Sequence, residues 1–218
     1  MIACCCALVT LAQPASSSSQ AAPSQPAMVS LGAGIYQLGD VRLDKPSSTL
    51  SFPGFVNMTN LVVEYAIVGS GGKRHESVLV TKVAPYQIHL SALLLGATNR
   101  LSNAEAGQSL SGHPITIWVA WKTGEIEMKV PLETLICKGT GGPPMSRGAW
   151  LYNGSQVLQG TFMAQKEESI VAIMEDPGAL VNNPRPGRED DELWFVRHEA
   201  VPPLDTPVQI TFDFSQSR

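Results

Sequence analysis

The stretch "ITIWVAWKTGEIEMKV", residues 115–130, carries the clearest secondary-structure signal in the chain. Apolar residues alternate with other residues on both sides of the turn sequence "KTG". Such alternation is typical of a two-stranded hairpin with one packed face and one solvated face. The inward sets are Ile115, Ile117, Val119 and Trp121 before the turn and Ile126, Met128 and Val130 after it. The segment therefore predicts an antiparallel β-hairpin.

Further strand signals lie on both sides of this hairpin. "VQITFDF", residues 208–214, alternates in the same way and predicts a closing strand. Shorter runs rich in β-branched and aromatic residues are separated by Gly, Pro, Asn and Ser clusters. These runs are residues 41–43, 49–52, 61–68, 76–82, 149–152, 159–165, 169–174 and 193–197. Their spacing favours an all-β sandwich or a barrel-like core.

Helix signals are few. "PYQIHLSALLLG", residues 85–96, has a proline where the first helical turn tolerates a missing N–H and a glycine where a left-handed residue ends a helix. Asp176 of "DPGALVNN" could cap a second short helix, and "PLETLI", residues 131–136, could form a single turn. We therefore predict a mainly β fold with one prominent α-helix and one or two short helical turns.

Composition limits the classes of function. The 218 residues can form one sizeable core, and charged residues make up only 16% against about 25% in a typical protein. The net charge of −4 gives no broad positive field, so nucleic acid is not an expected partner. The one dense charge run, "RPGREDDELWFVRHE" at residues 185–199, mixes both signs and is interpreted as a solvated loop.

The first charged residue of the chain is Asp40. The apolar block "IACCCALVTLA", residues 2–12, precedes a stretch rich in Ser, Ala, Pro and Gln. This order predicts a cleaved signal peptide over residues 1–12, a linker over 13–34 and a single mainly β domain over 35–218. The block is far shorter than the ~20 residues of a transmembrane helix, so no membrane span is expected in the mature chain. The expected location is periplasmic or extracellular.

Cysteine usage agrees with this interpretation. Three of the four cysteines fall in the apolar block, so the mature chain would keep Cys137 alone. A lipid attached at Cys4 is the minor alternative. Cys137 follows an apolar run that predicts burial, where a thiol is inert. Adjacent thiols also lack the ligand spacing of an iron–sulfur cluster, so no such cluster is expected.

The segment "GGKRHESVLVTKVAPYQIHLSALLLG", residues 71–96, holds the main candidate site. His75, Glu76 and His89 are ligand types that suit a divalent transition metal, and they could also position a general acid or base. On a regular strand, however, adjacent His75 and Glu76 would point to opposite faces. The alternative interpretation is structural: Glu76 pairs with Lys73 or Arg74, and His89 bonds a backbone group.

The glycine-rich "GSGGKR", residues 69–74, precedes this pair. It fails the spacing of a P-loop, and no helix pattern follows it directly. It therefore predicts a hairpin loop, in which glycines also permit irregular backbone at His75.

A second acidic group comprises Asp176, Asp190 and Asp191, with Glu175 beside the first. Converging loops could place these oxygen ligands on calcium, but their spacing matches no calcium-binding loop. Capping by Asp176 and solvation of the pair at 190 and 191 is the simpler account. Trp194 either anchors this acidic loop to the core or offers an exposed aromatic platform to a ligand.

Six short motifs follow one another along the chain: "GKRHESVLV" at 72–80, "IHLSALLLG" at 88–96, "WLYNGS" at 150–155, "DPGAL" at 176–180, "DDELW" at 190–194 and "TPV" at 206–208. Together they resemble the YdjY-domain family of bacterial exported proteins, over about residues 35–214. The resemblance implies an exported protein, and the family has no established activity to carry over. Some relatives bear ferredoxin-like cysteine clusters, which this sequence lacks.

Three hypotheses of function follow. The first is an exported envelope or periplasmic binding or accessory module, whose partner is a small ligand or an envelope protein, with a metal at His75, Glu76 and His89. The second is a metal-dependent hydrolase in which Glu76 is the general base for a metal-bound water. The third is a structural envelope or assembly module in which Trp118, Trp121, Trp150 and Trp194 contribute packing.

Overall fold

The computed structural model of the chain describes residues 27–98 and 111–215, in which β-strands predominate. The predicted signal peptide and most of the predicted linker lie outside these residues. The strands are β1 Met28–Gly32, β2 Ile35–Leu38, β3 Val41–Asp44, β4 Thr49–Val56, β5 Tyr65–Gly69, β6 Ser77–Thr81, β7 His113–Thr123, β8 Ile126–Pro131, β9 Ile136–Lys138, β10 Trp150–Tyr152, β11 Val157–Leu158, β12 Thr161–Phe162, β13 Ser169–Ala172, β14 Val181–Asn182, β15 Trp194–Val196 and β16 Pro207–Asp213. The helices are α1 Pro85–Leu94 and α2 Met163–Glu167, with 3₁₀ turns at Arg74–Glu76 and Leu132–Leu135.

Eight strands close into a barrel in the order β4, β16, β7, β10, β14, β13, β5 and β6. The closing contact is the antiparallel pairing of β6 with β4, in which Phe55 lies opposite Val80. Closure pairs strands that would otherwise be left at the edges of the sheet. The strands β1, β2 and β3 extend the sheet from β4, and β8 is attached to β7. Of the two predicted architectures, the chain therefore adopts the barrel.

The barrel interior is filled by the alternating residues that the sequence predicted. In β16, the side chains of Val208, Ile210 and Phe212 are buried. The Phe212 ring meets the Phe52 ring of β4 edge to face, with centroids 5.4 Å apart. Each such side chain contributes about 1.5–3 kcal/mol to folding through removal of apolar surface from water. The barrel core is therefore the main source of stability.

The predicted hairpin and main helix are confirmed. Strands β7 and β8 pair in the register that sets Trp121 opposite Met128. The predicted inward side chains Ile126 and Met128 are instead exposed, at 65% and 39%, so the packed face does not extend along β8. Helix α1 starts at Pro85, buries Ile88, and is followed by Gly96 in a left-handed conformation with φ of +90°. The single turn predicted within residues 131–136 is the 3₁₀ turn at Leu132–Leu135.

Three local predictions are wrong. The loop after β5 joins parallel strands, because β5 and β6 run in the same direction, and it is not a hairpin loop. The predicted strand at 159–165 ends at Phe162, after which α2 begins, with the Ala164 N–H donating to Ser155 Oγ. The predicted helix after Asp176 is instead a turn, in which the Gly178 N–H donates to Asp176 Oδ1 at 2.7 Å.

The predicted solvated loop at residues 185–199 is also wrong at its first residue. Arg185 is buried, and its guanidinium lies 5.0 Å from the centroid of the Trp150 ring. Its Nε and Nη2 donate to the carbonyl oxygens of Ser146 and Gly148, both at 2.6 Å. The buried charge is tolerated because backbone oxygens replace its water shell.

Candidate functional site

The glycine-rich loop, residues 69–76, folds back over β5 before the chain enters β6. A side chain on Gly72 would lie 3.1 Å from both Val68 Cβ and the Glu168 carbonyl oxygen, so the loop lies close against β5 and the end of α2. The Gly71 N–H donates to Glu168 Oε2 at 2.7 Å. Glycines at these positions therefore allow a close approach that larger residues would prevent.

Lys73 attaches this loop to the barrel wall. Its Nζ lies 3.4 Å from Glu76 Oε1 and 3.8 Å from Glu64 Oε2. The same ammonium lies 5.0 Å from the centroid of the Tyr65 ring. The predicted pairing of Glu76 with Lys73 is thus confirmed, within a larger group that we call the Lys73 cluster: Lys73, Glu64, Glu76, Tyr65 and Asp176.

The surroundings of Tyr65 and Lys73 favour their protonated forms. Burial and the nearby Asp176 carboxylate raise the pKa of Tyr65 to about 12. Burial lowers the pKa of Lys73, but the hydrogen bond with Tyr65 and the charge of Glu76 outweigh it, so that the pKa is raised. At neutral pH Tyr65 is therefore a neutral phenol and Lys73 a cation.

Burial also raises the pKa of Glu64, and the Glu76 carboxylate adds to the shift. Lys73 opposes this crowding of negative charge. The cluster therefore has the character of a support for the glycine-rich loop.

The second acidic group contributes to this cluster in part. Asp176 Oδ2 accepts a hydrogen bond from the Tyr65 hydroxyl at 3.2 Å. Asp191 is exposed, and its charge contributes to the raised pKa of Glu64. Asp190 is also exposed, and its Oδ1 accepts the N–H of Glu192 at 3.1 Å within a local turn.

The predicted histidine ligands have different surroundings. His75 and Glu76 lie on a 3₁₀ turn and not on a strand, so their side chains are not forced to opposite faces. His75 Nε2 is 3.5 Å from Glu76 Oε2. His89 lies on α1, where its Nδ1 is 2.7 Å from the Tyr152 hydroxyl and its ring is 4.9 Å from that of Phe162. The interpretation that His89 bonds a backbone group is therefore wrong.

Burial lowers the pKa of His89. Within residues 27–98 and 111–215, no three His, Cys, Asp or Glu side chains are grouped so as to hold a metal ion. Metal binding by His75, Glu76 and His89 stays a prediction, which metal analysis of the His75→Ala and His89→Ala variants would test.

A pocket of about 310 Å³ borders the glycine-rich loop at Ser70 and Arg74, and we call it the cationic pocket. It is lined by two cationic, two hydroxyl, two apolar and one acidic side chain. They are Arg74, Lys82, Ser70, Thr81, Phe55, Val80 and Asp205.

The walls of this pocket are held by hydrogen bonds. Arg74 Nε donates to Asn57 Oδ1 at 3.1 Å, and Asn57 Nδ2 donates to the carbonyl oxygens of Arg74 and Ser77 at 2.6 and 2.7 Å. Thr81 Oγ1 donates to the Pro53 carbonyl oxygen at 2.6 Å. Asn57 therefore fixes both the backbone and the guanidinium of Arg74 at the pocket.

The cationic pocket was not predicted from the sequence. Arg74 was expected only as an ion-pair partner of Glu76, and no role was expected for Lys82 or Asp205. Val80 of β6 lies opposite Phe55 of β4, so the two side chains share a face. Lys82 follows Val80 by two residues, and the alternation of the strand could have predicted that it lies on this face as well. The arrival of Asp205 depends on the pairing of β16 with β4 and has no local signal.

Two other sequence-based interpretations have clear outcomes. Trp194 is 4% exposed, and its Nε1 donates to the Gly187 carbonyl oxygen at 2.9 Å, so it is an anchor for the acidic loop and not an exposed platform. Cys137 is buried as predicted, and burial raises the pKa of its thiol. The part of the chain that the structure describes holds no helix with the length and apolarity needed to cross a bilayer.

Comparison with protein families matches residues 41–213 to the YdjY domain. The matched span begins at β3 and ends at the last residue of β16, so it includes the whole barrel. It also includes the Lys73 cluster and the cationic pocket. No curated protein and no solved structure shows a significant match to the chain.

Proposed function

The chain belongs to the YdjY-domain family, and from that premise we propose that it is an exported, non-catalytic binding module that holds a small anionic ligand in the cationic pocket. The observation that carries the proposal is the convergence of Arg74 and Lys82 on one concave site. Its volume of about 310 Å³ is that of a small-molecule site. Carboxylate or phosphate is the ligand chemistry that these two side chains recognise.

Each wall of the pocket has a distinct role in this proposal. The Arg74 guanidinium offers planar donors to two oxygens of one group, and Lys82 adds a point charge. Lys82 Nζ also lies 6.0 Å from the centroid of the Phe55 ring, which forms an apolar wall. Ser70 Oγ donates to the Thr81 carbonyl oxygen at 3.1 Å, so this hydroxyl mainly orients the wall.

Asp205 provides selectivity. Its carboxylate lines the same pocket as the two cations. It weakens the binding of any anion and favours one that also carries a hydrogen-bond donor. A small organic acid with a hydroxyl group, such as citrate, therefore fits the pocket better than inorganic phosphate.

Support for a binding role comes from the pocket itself. Arg74 and Lys82 line one concave site, and Asn57 Oδ1 holds the guanidinium of Arg74 there. Support for export comes from the uncharged, partly apolar composition of residues 1–39. The resemblance to exported proteins agrees with it.

The test is a titration of the protein with citrate and, separately, with inorganic phosphate, in which binding is monitored by the chemical shifts of the backbone amides. The titration should be done at about 0.01 M salt, where the Debye length is about 30 Å and the attraction between the cations and the anion is only weakly screened. We expect the largest shifts in the loop at residues 69–76 and in β6. Arg74→Gln and Lys82→Gln should each weaken binding about tenfold, the effect of losing one charge-assisted contact.

Two further variants sharpen the test. Lys166→Gln removes an exposed charge on α2 and should leave the affinity unchanged. Asp205→Asn should strengthen binding of both anions, because it removes the carboxylate from the pocket. Equal weakening by Lys166→Gln and Lys82→Gln would show a general charge effect and would refute the proposed site.

A further inference from the structure

Strand β8 is an edge strand with exposed side chains. Among the described strands it pairs with β7 alone. Its residues 126–129 are all exposed, including Ile126 at 65% and Met128 at 39%. An exposed edge presents unpaired N–H and C=O groups that can pair with another strand.

The geometry of the hairpin determines which backbone groups face outward. The turn has two residues, Gly124 and Glu125, so the flanking pair Thr123 and Ile126 is the first hydrogen-bonded pair of the ladder. Because such pairs alternate along an antiparallel ladder, Ile126, Met128 and Val130 direct their backbone groups to β7. Glu127 and Lys129 direct theirs to the free edge.

Pro131 supports this assignment. Pro131 lies opposite Trp118 and follows Lys129 by two residues, so an N–H at this position would point to the free edge, as those of Glu127 and Lys129 do. A proline has no N–H, and within sheets it is confined to places where the ladder does not need one. The outward groups available for pairing thus belong to Glu127 and Lys129.

We propose that the free edge of β8 pairs with β8 of a second copy of this chain, antiparallel about a two-fold axis at Met128. Three registers bring outward-facing residues together. Two of them oppose Glu127 to itself or Lys129 to itself, which like charges disfavour. The third opposes Glu127 of each copy to Lys129 of the other, which forms two cross-strand ion pairs.

The apolar face agrees with the same register. Ile126 of one copy lies opposite Val130 of the other, and Met128 lies opposite its own equivalent. These side chains continue a groove of about 440 Å³ that also includes Trp121 and Pro202. Burial of this face provides the driving force, and the two ion pairs select the register.

The experiment compares the wild-type chain with two charge variants by sedimentation equilibrium. Glu127→Lys sets lysine against lysine across the interface, and Lys129→Glu sets glutamate against glutamate. Each variant alone should dimerise about 30-fold more weakly than wild type, because two attractive pairs become repulsive. Mixed in equal amounts, the two variants should form a heterodimer with near wild-type affinity, since every contact between them is again attractive.

Thermal unfolding of each variant checks that the hairpin is intact, because Lys129 also lies 5.2 Å from the centroid of the Trp118 ring. A wild-type chain that remains monomeric at every concentration would overturn the proposal and show that the two charges guard the edge. Dimers of equal affinity in wild type and in both single variants would also overturn it, and would place the contact elsewhere, such as at the exposed strand β1. Restoration on mixing is the result that supports it.

Discussion

Replacement of Lys73 by methionine tests whether the Lys73 cluster supports the pocket. Methionine keeps most of the apolar stem of lysine and removes only the charge. The ammonium is 3.4 Å from Glu76 and 3.8 Å from Glu64, and it lies over the Tyr65 ring. We expect the variant to be less stable and to bind anions more weakly, because Arg74 follows Lys73 directly in the loop.

The expected loss of stability in Lys73→Met depends on how exposed the lysine side chain is. The Lys73 side chain is 52% exposed, so each ion pair has the value of a surface pair, about 0.5 kcal/mol. The cation–π contact adds about 0.5–1 kcal/mol. We therefore expect the free energy of unfolding to fall by roughly 1.5–2 kcal/mol at low salt. High salt should reduce the difference between the two proteins, because it screens exposed pairs.

Urea denaturation measures the stability, and citrate titration measures the pocket. Lys45→Met is a matched control, because Lys45 Nζ lies 5.2 Å from the centroid of the Tyr36 ring on the extension of the sheet, far in sequence from the loop. It should lose about 0.5–1 kcal/mol of stability and no citrate affinity. The reasoning fails if Lys73→Met is no less stable than Lys45→Met, or if its citrate affinity equals that of wild type.

Three further predictions concern single positions. Gly69→Ala should cost about 1–3 kcal/mol of stability, because the added Cβ would lie 2.8 Å from Glu168 Cβ. Urea denaturation measures this cost. Adding Glu168→Gly should recover part of the stability, because it removes the clashing side chain at a left-handed position with φ of 53°. Burial lowers the pKa of His89 below its usual 6.5, so below that pH the unfolded chain takes up the proton first and stability falls as the pH drops. Thermal unfolding between pH 7 and pH 5 should show this fall, and His89→Gln should reduce it; an unchanged slope would contradict the assignment. Iodoacetamide should modify Cys137 much faster in urea than in the native protein, because burial shields the thiol and raises its pKa; equal rates would show an open site.

The strands with two distinct faces could be predicted from the sequence. Residues 115–121 and 208–214 alternate because one face packs in the barrel and the other meets solvent. Residues 126–130 alternate in sequence as well, but Ile126 and Met128 are exposed, because β8 is an edge strand. The short strands were harder. Residues 163–165 have no such alternation, and their helix depends on a cap from Ser155 and on the burial of Met163 and Ala164.

The candidate site was predicted only in part. The sequence indicated a candidate metal or acid–base site around His75 and Glu76. In the structure, Glu76 belongs to the Lys73 cluster. The pairing of Glu76 with Lys73 needed only local reasoning, because the two residues are three apart. The arrival of Asp176 beside Tyr65 depends on the pairing of β13 with β5, which the local sequence does not encode.

The sequence by itself determined the strand-rich class, the main helix, the hairpin and the burial of Cys137, because periodicity, turn residues and apolar runs act over a few residues. Only the tertiary structure decided that the sheet closes through β4 and β6 and that the glycine-rich loop joins parallel strands. It also decided that Arg74, Lys82 and Asp205 share a pocket. These outcomes depend on which distant strands pair, and that choice is set by the packing of the whole barrel rather than by any one segment.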